Sequence, residues 1–428
     1  MKNKRYLYVK ALSDLGSRMD SIVLGVLIYA ATQSVGWLSA SMAAGVVGGL
    51  LSGLVSGVVA DRFDRRRIMI VTDWLRFGLI LLLIPFPQPE MILLVRFLMG
   101  AAGSFFEVGY NAEVPQIYGD RNLLAVNAMI ARLSAISTVA GFLAGGLLQD
   151  RIGYESVLVI DAASFLISAL VLQRMKWNHA VAASDTAETA PPAATMAGSF
   201  RRALRQQWAD LREVAAFLRT QAALLIVFMV FLADTFGSAS HNLGAPLLAE
   251  ALDPNRQALF YGLIWSTWGA GNVLTTVAMP KIAWFRHNLG RVYLLATPLM
   301  SLGFIALFAT ERPGLVLSAS FITGVVDAVG MTTFATIFQQ TDNRIRGRIF
   351  GVSTVLNRFG FGIGFVVAPL VMAKLNLFQM VAALHGFVIA VALIGLALYR
   401  SKQTESLSGE GRVSHGQIDR NDEASVGG

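Results

Sequence analysis

Apolar residues dominate twelve stretches of the chain, at 6–31, 37–60, 68–86, 90–112, 122–148, 154–173, 222–249, 258–280, 291–310, 313–340, 347–374 and 377–399. Each is close to or above the ~20 residues that a helix needs to cross the hydrocarbon of a bilayer. The apolar positions run on continuously, so the period of two that a membrane β-barrel requires is missing. Turn-forming pieces part several of them: Pro85-Phe86-Pro87-Gln88-Pro89, Asp253-Pro254-Asn255 and Arg312-Pro313-Gly314. The pattern predicts an all-α membrane protein with twelve transmembrane helices.

One connection is long. Residues 174–220 divide the spans into an N-terminal six-helix bundle, 1–173, and a C-terminal six-helix bundle, 221–400. Ala180–Gly198 is rich in Ala, Thr and Pro and reads as a flexible linker. Beyond it, Phe200, Leu204, Trp208, Leu211, Ala215 and Leu218 recur at helical steps, with Arg201, Arg202, Arg205, Arg212 and Arg219 between them. This amphipathic helix suits either the inner membrane surface, with its basic side toward anionic lipid, or the cytoplasmic ends of the bundle. The polar, Gly/Ser-rich segment 401–428 is expected to be a disordered cytoplasmic tail. The two bundles are expected to be pseudo-symmetric. Phe97-Leu98-Met99-Gly100 answers Phe321-Ile322-Thr323-Gly324, and Leu12-Ser13-Asp14 answers Leu232-Ala233-Asp234, at offsets of 224 and 220 residues.

Composition sharpens this picture. The 428 residues are 55% hydrophobic and 14% charged, against about 25% charged in an ordinary soluble domain. That excludes an ordinary soluble enzyme and a disordered chain. Without cysteine there is no disulfide framework, thiolate metal site or Cys nucleophile. Met1–Lys10 is basic, and Asp14, Arg18 and Asp20 break the apolar run behind it, so the start is expected to be retained as the first span. If the N-terminus is cytoplasmic, the inner pieces collect 25 of the 35 Lys and Arg, and the outer loops hold only Arg151, Arg256, Arg312 and Lys374. That asymmetry predicts a multi-pass protein with both termini in the cytoplasm. The +8 net charge is therefore a topology signal, and no nucleic-acid partner is expected.

The turn after the second span reads Gly57-Val58-Val59-Ala60-Asp61-Arg62-Phe63-Asp64-Arg65-Arg66-Arg67. It resembles the loop 2–3 signature of the major facilitator superfamily, G-x-L-a-D-r-x-g-r-k, with Val59 and Asp64 as departures. Arg96-Phe97-Leu98-Met99-Gly100 is similar to the family's R-x-x-q-G in span 4. Gly141-Phe142-Leu143-Ala144-Gly145-Gly146 resembles the G-P-x-x-G-G of its exporters, with Phe142 in place of Pro. Asp73-Trp74-Leu75-Arg76 and Gly347-Arg348-Ile349-Phe350 look most like the macrolide-efflux and siderophore-exporter branch. The resemblance implies a cytoplasmic gate at Gly57, Asp61, Arg62, Arg65 and Arg66, closing against the start of span 11 near Gly347. It also implies an exporter-type helix at Gly141, Gly145 and Gly146, and a cavity lined by spans 1, 4, 7 and 10.

Those four spans each carry an embedded acid. A charge at mid-membrane costs on the order of 3 kcal/mol, so it normally faces a cavity or a partner. Asp14 and Arg18 share a face of span 1 and are expected to pair. Arg96, Gly100, Gly103 and Glu107 form one stripe of span 4, and Asp234 and His241 one face of span 7. Asp327 lies in span 10, Arg132 in span 5 and Arg358 in span 11. Asp234, Glu107, Asp327 and Arg96 are the candidates for proton coupling. Asp14, Arg18, Arg132, His241 and Arg358 are the candidate cavity charges. Internal salt bridges that merely fix helix packing are the alternative, above all for Asp73 with Arg76.

No G-x-x-x-x-G-K-[ST] loop is present, which leaves an ion gradient as the energy source. The expectation is a monomeric secondary transporter of the bacterial inner membrane, not an enzyme, without cofactor or metal. Its partners would be the lipid bilayer, protons and a small-molecule substrate. The activity would be proton-coupled efflux of a mostly apolar drug or macrolide-like compound by alternating access. Siderophore export, lysolipid transport, and a non-transporting receptor or scaffold are the alternatives.

Overall fold

A computed structural model of the chain describes residues 3–119, 123–175, 196–279, 282 and 288–423, with all side chains except those of Val58, Asp61, Leu124, Ala203, Asn343, 196–200 and 401–423. Among these residues there are thirteen α-helices and no strand. They are α1 (Lys4–Thr32), α2 (Val35–Arg62), α3 (Arg65–Leu82), α4 (Pro89–Tyr118), α5 (Leu123–Ile152), α6 (Tyr154–Arg174), α7 (Met196–Thr220), α8 (Ala222–Leu252), α9 (Gln257–Ala278), α10 (Leu289–Phe308), α11 (Pro313–Gln339), α12 (Asn343–Met372) and α13 (Leu377–Glu423). Ten are long and apolar enough to cross a membrane. α3 and α9 fall short of that measure but pack within the bundles, α3 against α4 and α6, α9 against α11 and α8. With α7 set aside, twelve helices match the twelve predicted spans.

The breaks follow local chemistry. The Ser34 side chain accepts from Trp37 N at the start of α2, Asp64 from Arg66 N at 2.9 Å before α3, and Asp342 from Arg344 N at 2.8 Å before α12. Asp64 stands where the resembling loop usually has glycine, and its capping role accounts for the departure. α4 and α11 both begin with Pro at the first turn. α5 and α6 are joined through Gly153 alone, at φ +83, a conformation that favours glycine.

The two bundles are built on the same interlocks. In the first, α2 meets α4 so closely that a Cβ on Gly48 would strike the Phe97 carbonyl, and one on Gly100 the Gly45 backbone. In the second, α9 meets α11 in the same way, Gly271 on Phe321 and Gly324 on Trp268. Gly141 and Gly145 of α5 lie against Leu15, Arg18 and Met19 of α1. Their counterparts Gly360 and Gly364 of α12 lie against Thr235, Phe236 and Ala239 of α8. The match of Phe97–Gly100 with Phe321–Gly324 thus falls on equivalent contacts, and the match at Asp14 and Asp234 lies just before a second equivalent pair.

The bundles are joined chiefly by α5 with α9 and α2 with α12. Leu259 N donates to Asp150 Oδ2 at 3.1 Å, and Ser266 Oγ to the Val139 carbonyl at 3.0 Å. Gly146 admits the backbone of Ala258 and Leu259, and Gly262 that of Phe142 and Gly146. Ser39 Oγ donates to the Phe365 carbonyl, and Arg358 to the Gly49 carbonyl and, at 2.9 Å, to Ser104 Oγ. These contacts occupy one end and the middle of the molecule. At the other end, Cβ atoms on Gly57, Gly347 and Gly351 would meet nothing within 4 Å. The halves are closed on the face expected to be external and parted on the basic face.

The linker helix α7 packs on the bundle, touching α2, α12 and α8. Val214 and Leu218 are buried with Phe338, Ile345 and Ile349, while Trp208 stays 59% exposed. Of the two sequence readings, docking on the bundle is the one observed. The expected linker 180–198 lies largely outside the described residues. The backbone of α13 continues to Glu423, past Ser401 where the composition predicts order to end. Its membrane-crossing part stops at Arg400.

Candidate functional site

A cavity of about 470 Å³ lies inside the second bundle. α8 contributes Asp234, Ser238 and His241, α9 Trp265 and Trp268, α11 Asp327 and Phe334, and α12 Asn357 and Phe361. Asp234 and Asp327, 93 positions apart in the chain, face each other electrostatically here. Asp234 Oδ1 meets no hydrogen-bond partner among the described residues, and the Asn272 amide and the Trp268 indole N–H lie toward Asp327. His241 is 6% exposed and stacks on Phe304 with ring centroids 3.6 Å apart. Its Nδ1 meets His385 Nε2 at 3.0 Å, and His385 Nδ1 meets Ser301 Oγ at 3.1 Å. The three residues come from three helices, α8, α13 and α10. Since His385 takes Nδ1, the nitrogen of His241 left for the cavity is Nε2.

The first bundle has a smaller polar cavity, about 270 Å³, containing Lys10, Asp14, Arg18 and Glu107. Here the expected Asp14–Arg18 pair is corrected. Asp14 bonds Lys10 at 2.9 Å, and the same ammonium reaches Glu107 at 3.1 Å. Both Lys10 and Arg18 are one turn from Asp14. Only Lys10 also lies near the acid of α4, while the Arg18 guanidinium sits 5.6 Å from the centre of the Phe142 ring. Glu107 is 52% exposed, so it belongs to a solvated rim. Deeper, Arg96 donates to the Ser21 carbonyl at 3.4 Å and lies near Asp20. The predicted span 4 stripe is therefore split between two environments. Asp73 and Arg76 pair at 3.4 Å, both buried, and Arg76 also donates to the Ala102 carbonyl at 3.2 Å, the packing role weighed for them.

The other predicted residues fall elsewhere. Arg132 is exposed on α5 and lines neither cavity. Arg358 bridges the two bundles, as described above. Gly141 and Gly145 seat α5 on α1, and Gly146 seats it on α9. In the loop, Arg65 Nε donates to the Ala60 carbonyl at 3.1 Å and its guanidinium lies 3.8 Å from Glu113. Arg66 donates to the Leu172 and Gln173 carbonyls. Arg62 is exposed, and the Asp61 side chain lies outside the described residues. The structure does not bring Gly57 and Gly347 together, because the halves are parted at that end.

Sequence reasoning missed His385, Lys10, Asp20 and Asp161. Asp161 is fully buried on α6 beside Asp20. An acid inside an apolar span was the available signal for Asp161, and the same signal found Asp327. Nothing local marks His385.

The profile of the Major Facilitator Superfamily matches residues 10–364. The chain belongs to this family. It is accordingly a multi-pass membrane transporter and not an enzyme, with twelve transmembrane helices in two bundles. BacE of Bacillus amyloliquefaciens, a candidate bacilysin exporter, is 23% identical over 416 residues, covering 95% of this chain and 98% of that protein. The multidrug resistance protein MdtG of Salmonella dublin is 24% identical over 325 residues, 74% of this chain and 73% of that one. Among solved structures, the nucleoside transporter NupG superposes with a TM-score of 0.71 at 15% identity, covering 93% of this chain and 99% of that one. A POT family transporter superposes with a TM-score of 0.68 at 12% identity, covering 94% and 98%. These two likenesses concern the fold.

Proposed function

We propose that the protein is a proton-coupled exporter of the bacterial inner membrane. It moves a mostly apolar small molecule outward by alternating access, with both termini in the cytoplasm. The observation that carries this reading is the cavity of the second bundle, where Asp234 and Asp327 share an aromatic-walled space with no lysine or arginine among its lining residues. Carboxylates at membrane depth need a neutralising charge, and a proton taken up from one side and released to the other supplies it. The exporter relatives BacE and MdtG support the direction. The parted basic face supports a form that loads from the cytoplasm.

The test uses inverted vesicles and a substrate found by screening compound classes. Export should collapse when the proton gradient is dissipated and persist when ATP alone is depleted. Asp234→Asn should abolish accumulation against a gradient while leaving downhill exchange measurable. Full-rate accumulation in uncoupled vesicles would remove the proton from the mechanism.

A further inference from the structure

We infer that the cavity of the second bundle binds an organic cation, a positively charged group on an apolar or aromatic body. This deepens the functional reading above and rests on it for the view that this cavity is the substrate site.

The argument starts from a difference between the bundles. In the first, each embedded acid has a basic neighbour, including Asp161, which lies beside Asp20 but also near Arg76. Asp14 and Glu107 share Lys10, and Asp73 pairs with Arg76. Glu113 pairs with Arg65, and Asp20 has Arg96 and Arg18 near it. In the second bundle Asp234 and Asp327 face each other, and no Lys or Arg lines their cavity. Asp14 and Asp234 occupy matching places of the repeat, but where α1 has Lys10 one turn before its acid, α8 has Val230. The nearest guanidinium along α12 follows the lining residue Asn357, yet Arg358 turns away and is engaged by Gly49 and Ser104 of the other bundle. The site thus has two facing carboxylates and no lysine or arginine among its described lining residues.

The rest of the wall says what kind of cation fits. A small inorganic ion prefers a shell of several oxygens. Here the carboxylates are set among Trp265, Trp268, Phe231, Phe334 and Tyr293. Aromatic faces attract a cation electrostatically and hold its apolar body by contact. Polar atoms are left ready for a guest. Asp234 Oδ1 is buried without a partner, and His241, almost wholly buried, presents its unpaired Nε2 to the space. About 470 Å³ is within the range of small-molecule sites.

The experiment measures equilibrium binding to the purified full-length protein in detergent, read by quenching of tryptophan fluorescence. The probes are tetraphenylphosphonium and tetraphenylborate, of similar shape and opposite charge. Tetraphenylphosphonium should bind saturably and tetraphenylborate at least tenfold more weakly. Asp234→Asn and Asp327→Asn, each checked for a monodisperse gel-filtration profile, should weaken the cation at least tenfold. Asp234→Glu should retain it, and this charge-keeping variant separates lost charge from lost fold. Equal binding of the two probes, or unchanged cation binding in both asparagine variants, would overturn the proposal. So would displacement of the probe by millimolar Na+ but not by choline, which would assign the acids to an inorganic ion. The two readings fail separately. Loss of gradient dependence with cation binding intact removes proton coupling alone, and indifference to probe charge with gradient dependence intact removes the cation alone.

Discussion

At the scale of single residues, the Ser301–His385–His241 chain has a consequence for stability. A neutral imidazole donates through one nitrogen and accepts through the other, so donors and acceptors along the chain are fixed together. If Ser301 donates to His385 Nδ1, then His385 Nε2 donates to His241 Nδ1, and His241 Nε2 faces the cavity as a donor. In the opposite sense it faces the cavity as an acceptor. Removing the middle residue strands a buried nitrogen, which costs about 1–3 kcal/mol, whereas removing both ends of a bond can be nearly neutral. His385→Phe keeps an aromatic ring 5.2 Å from Phe304 and should lower stability by about that amount. The double variant His241→Phe, His385→Phe should be no less stable than His385→Phe alone. Thermal unfolding followed by tryptophan fluorescence checks the cycle, and additive losses would show that the two histidines act independently. The sequence was informative at this scale where a residue type is costly in lipid. Asp14, Asp234 and Asp327 stand out because an acid in an apolar span needs a reason. Their partners do not stand out. Lys10 was read as part of a basic start, and His385 meets His241 across 144 positions that no local pattern connects.

Among the helices, legibility came from length and glycine. The twelve spans were readable because each must supply its own crossing, and apart from α13, which runs on to Glu423, their observed ends shift by only a few residues as caps such as Asp64 and Asp342 take hold. Glycines such as Gly100, Gly141 and Gly145 stood out within motifs, but which helix each glycine admits did not, because that depends on how the bundle closes. The two halves now make a paired prediction. Gly100→Ala and Gly324→Ala each push a methyl group into a facing backbone, Gly45 in one bundle and Trp268 in the other. Each should lower stability by about 1–3 kcal/mol, the usual cost of overpacking. Because the sites are in separate bundles with no shared partner, the losses should add in the double variant. The same fluorescence melt measures this. Gly78→Ala, where nothing lies within 4 Å, is the control and should change little. The helix α7 was legible as an amphipathic element but not in its placement. Its acids Asp210 and Glu213 find Arg348 of α12, and Leu211 and Trp208 border an apolar groove with Leu54 of α2. The pattern of the helix alone fits lipid and protein equally well.

Across the whole molecule, the proposed alternating access calls for a pair of states, of which the structure would be one. Closure at one face rests on α5 against α9 and α2 against α12, with Arg358 at the middle. In the loop expected to form the opposite gate, Arg65 and Arg66 have bonds within the first bundle, Arg66 to the Leu172 carbonyl at 2.9 Å. The gate motif was legible as a motif, but the state of the gate was not, since a sequence belongs to both states at once. The absence of cysteine makes the two faces directly testable, because any introduced thiol is the protein's only one. Asp150→Cys with Leu259→Cys places a thiol pair at the closed face, where the native residues already touch at 3.1 Å. In resting vesicles, mild oxidation should crosslink this pair, stop transport, and release it again on reduction. Gly57→Cys with Gly347→Cys places a pair at the parted face. It should stay uncrosslinked at rest, react with a membrane-impermeant maleimide only from the side expected to be cytoplasmic, and crosslink once turnover draws that face shut. Labelling of Gly57→Cys from the opposite side would reverse the assigned topology. Crosslinking of the Gly57–Gly347 pair at rest would mean that the resting protein in the membrane is closed at the face that is parted here.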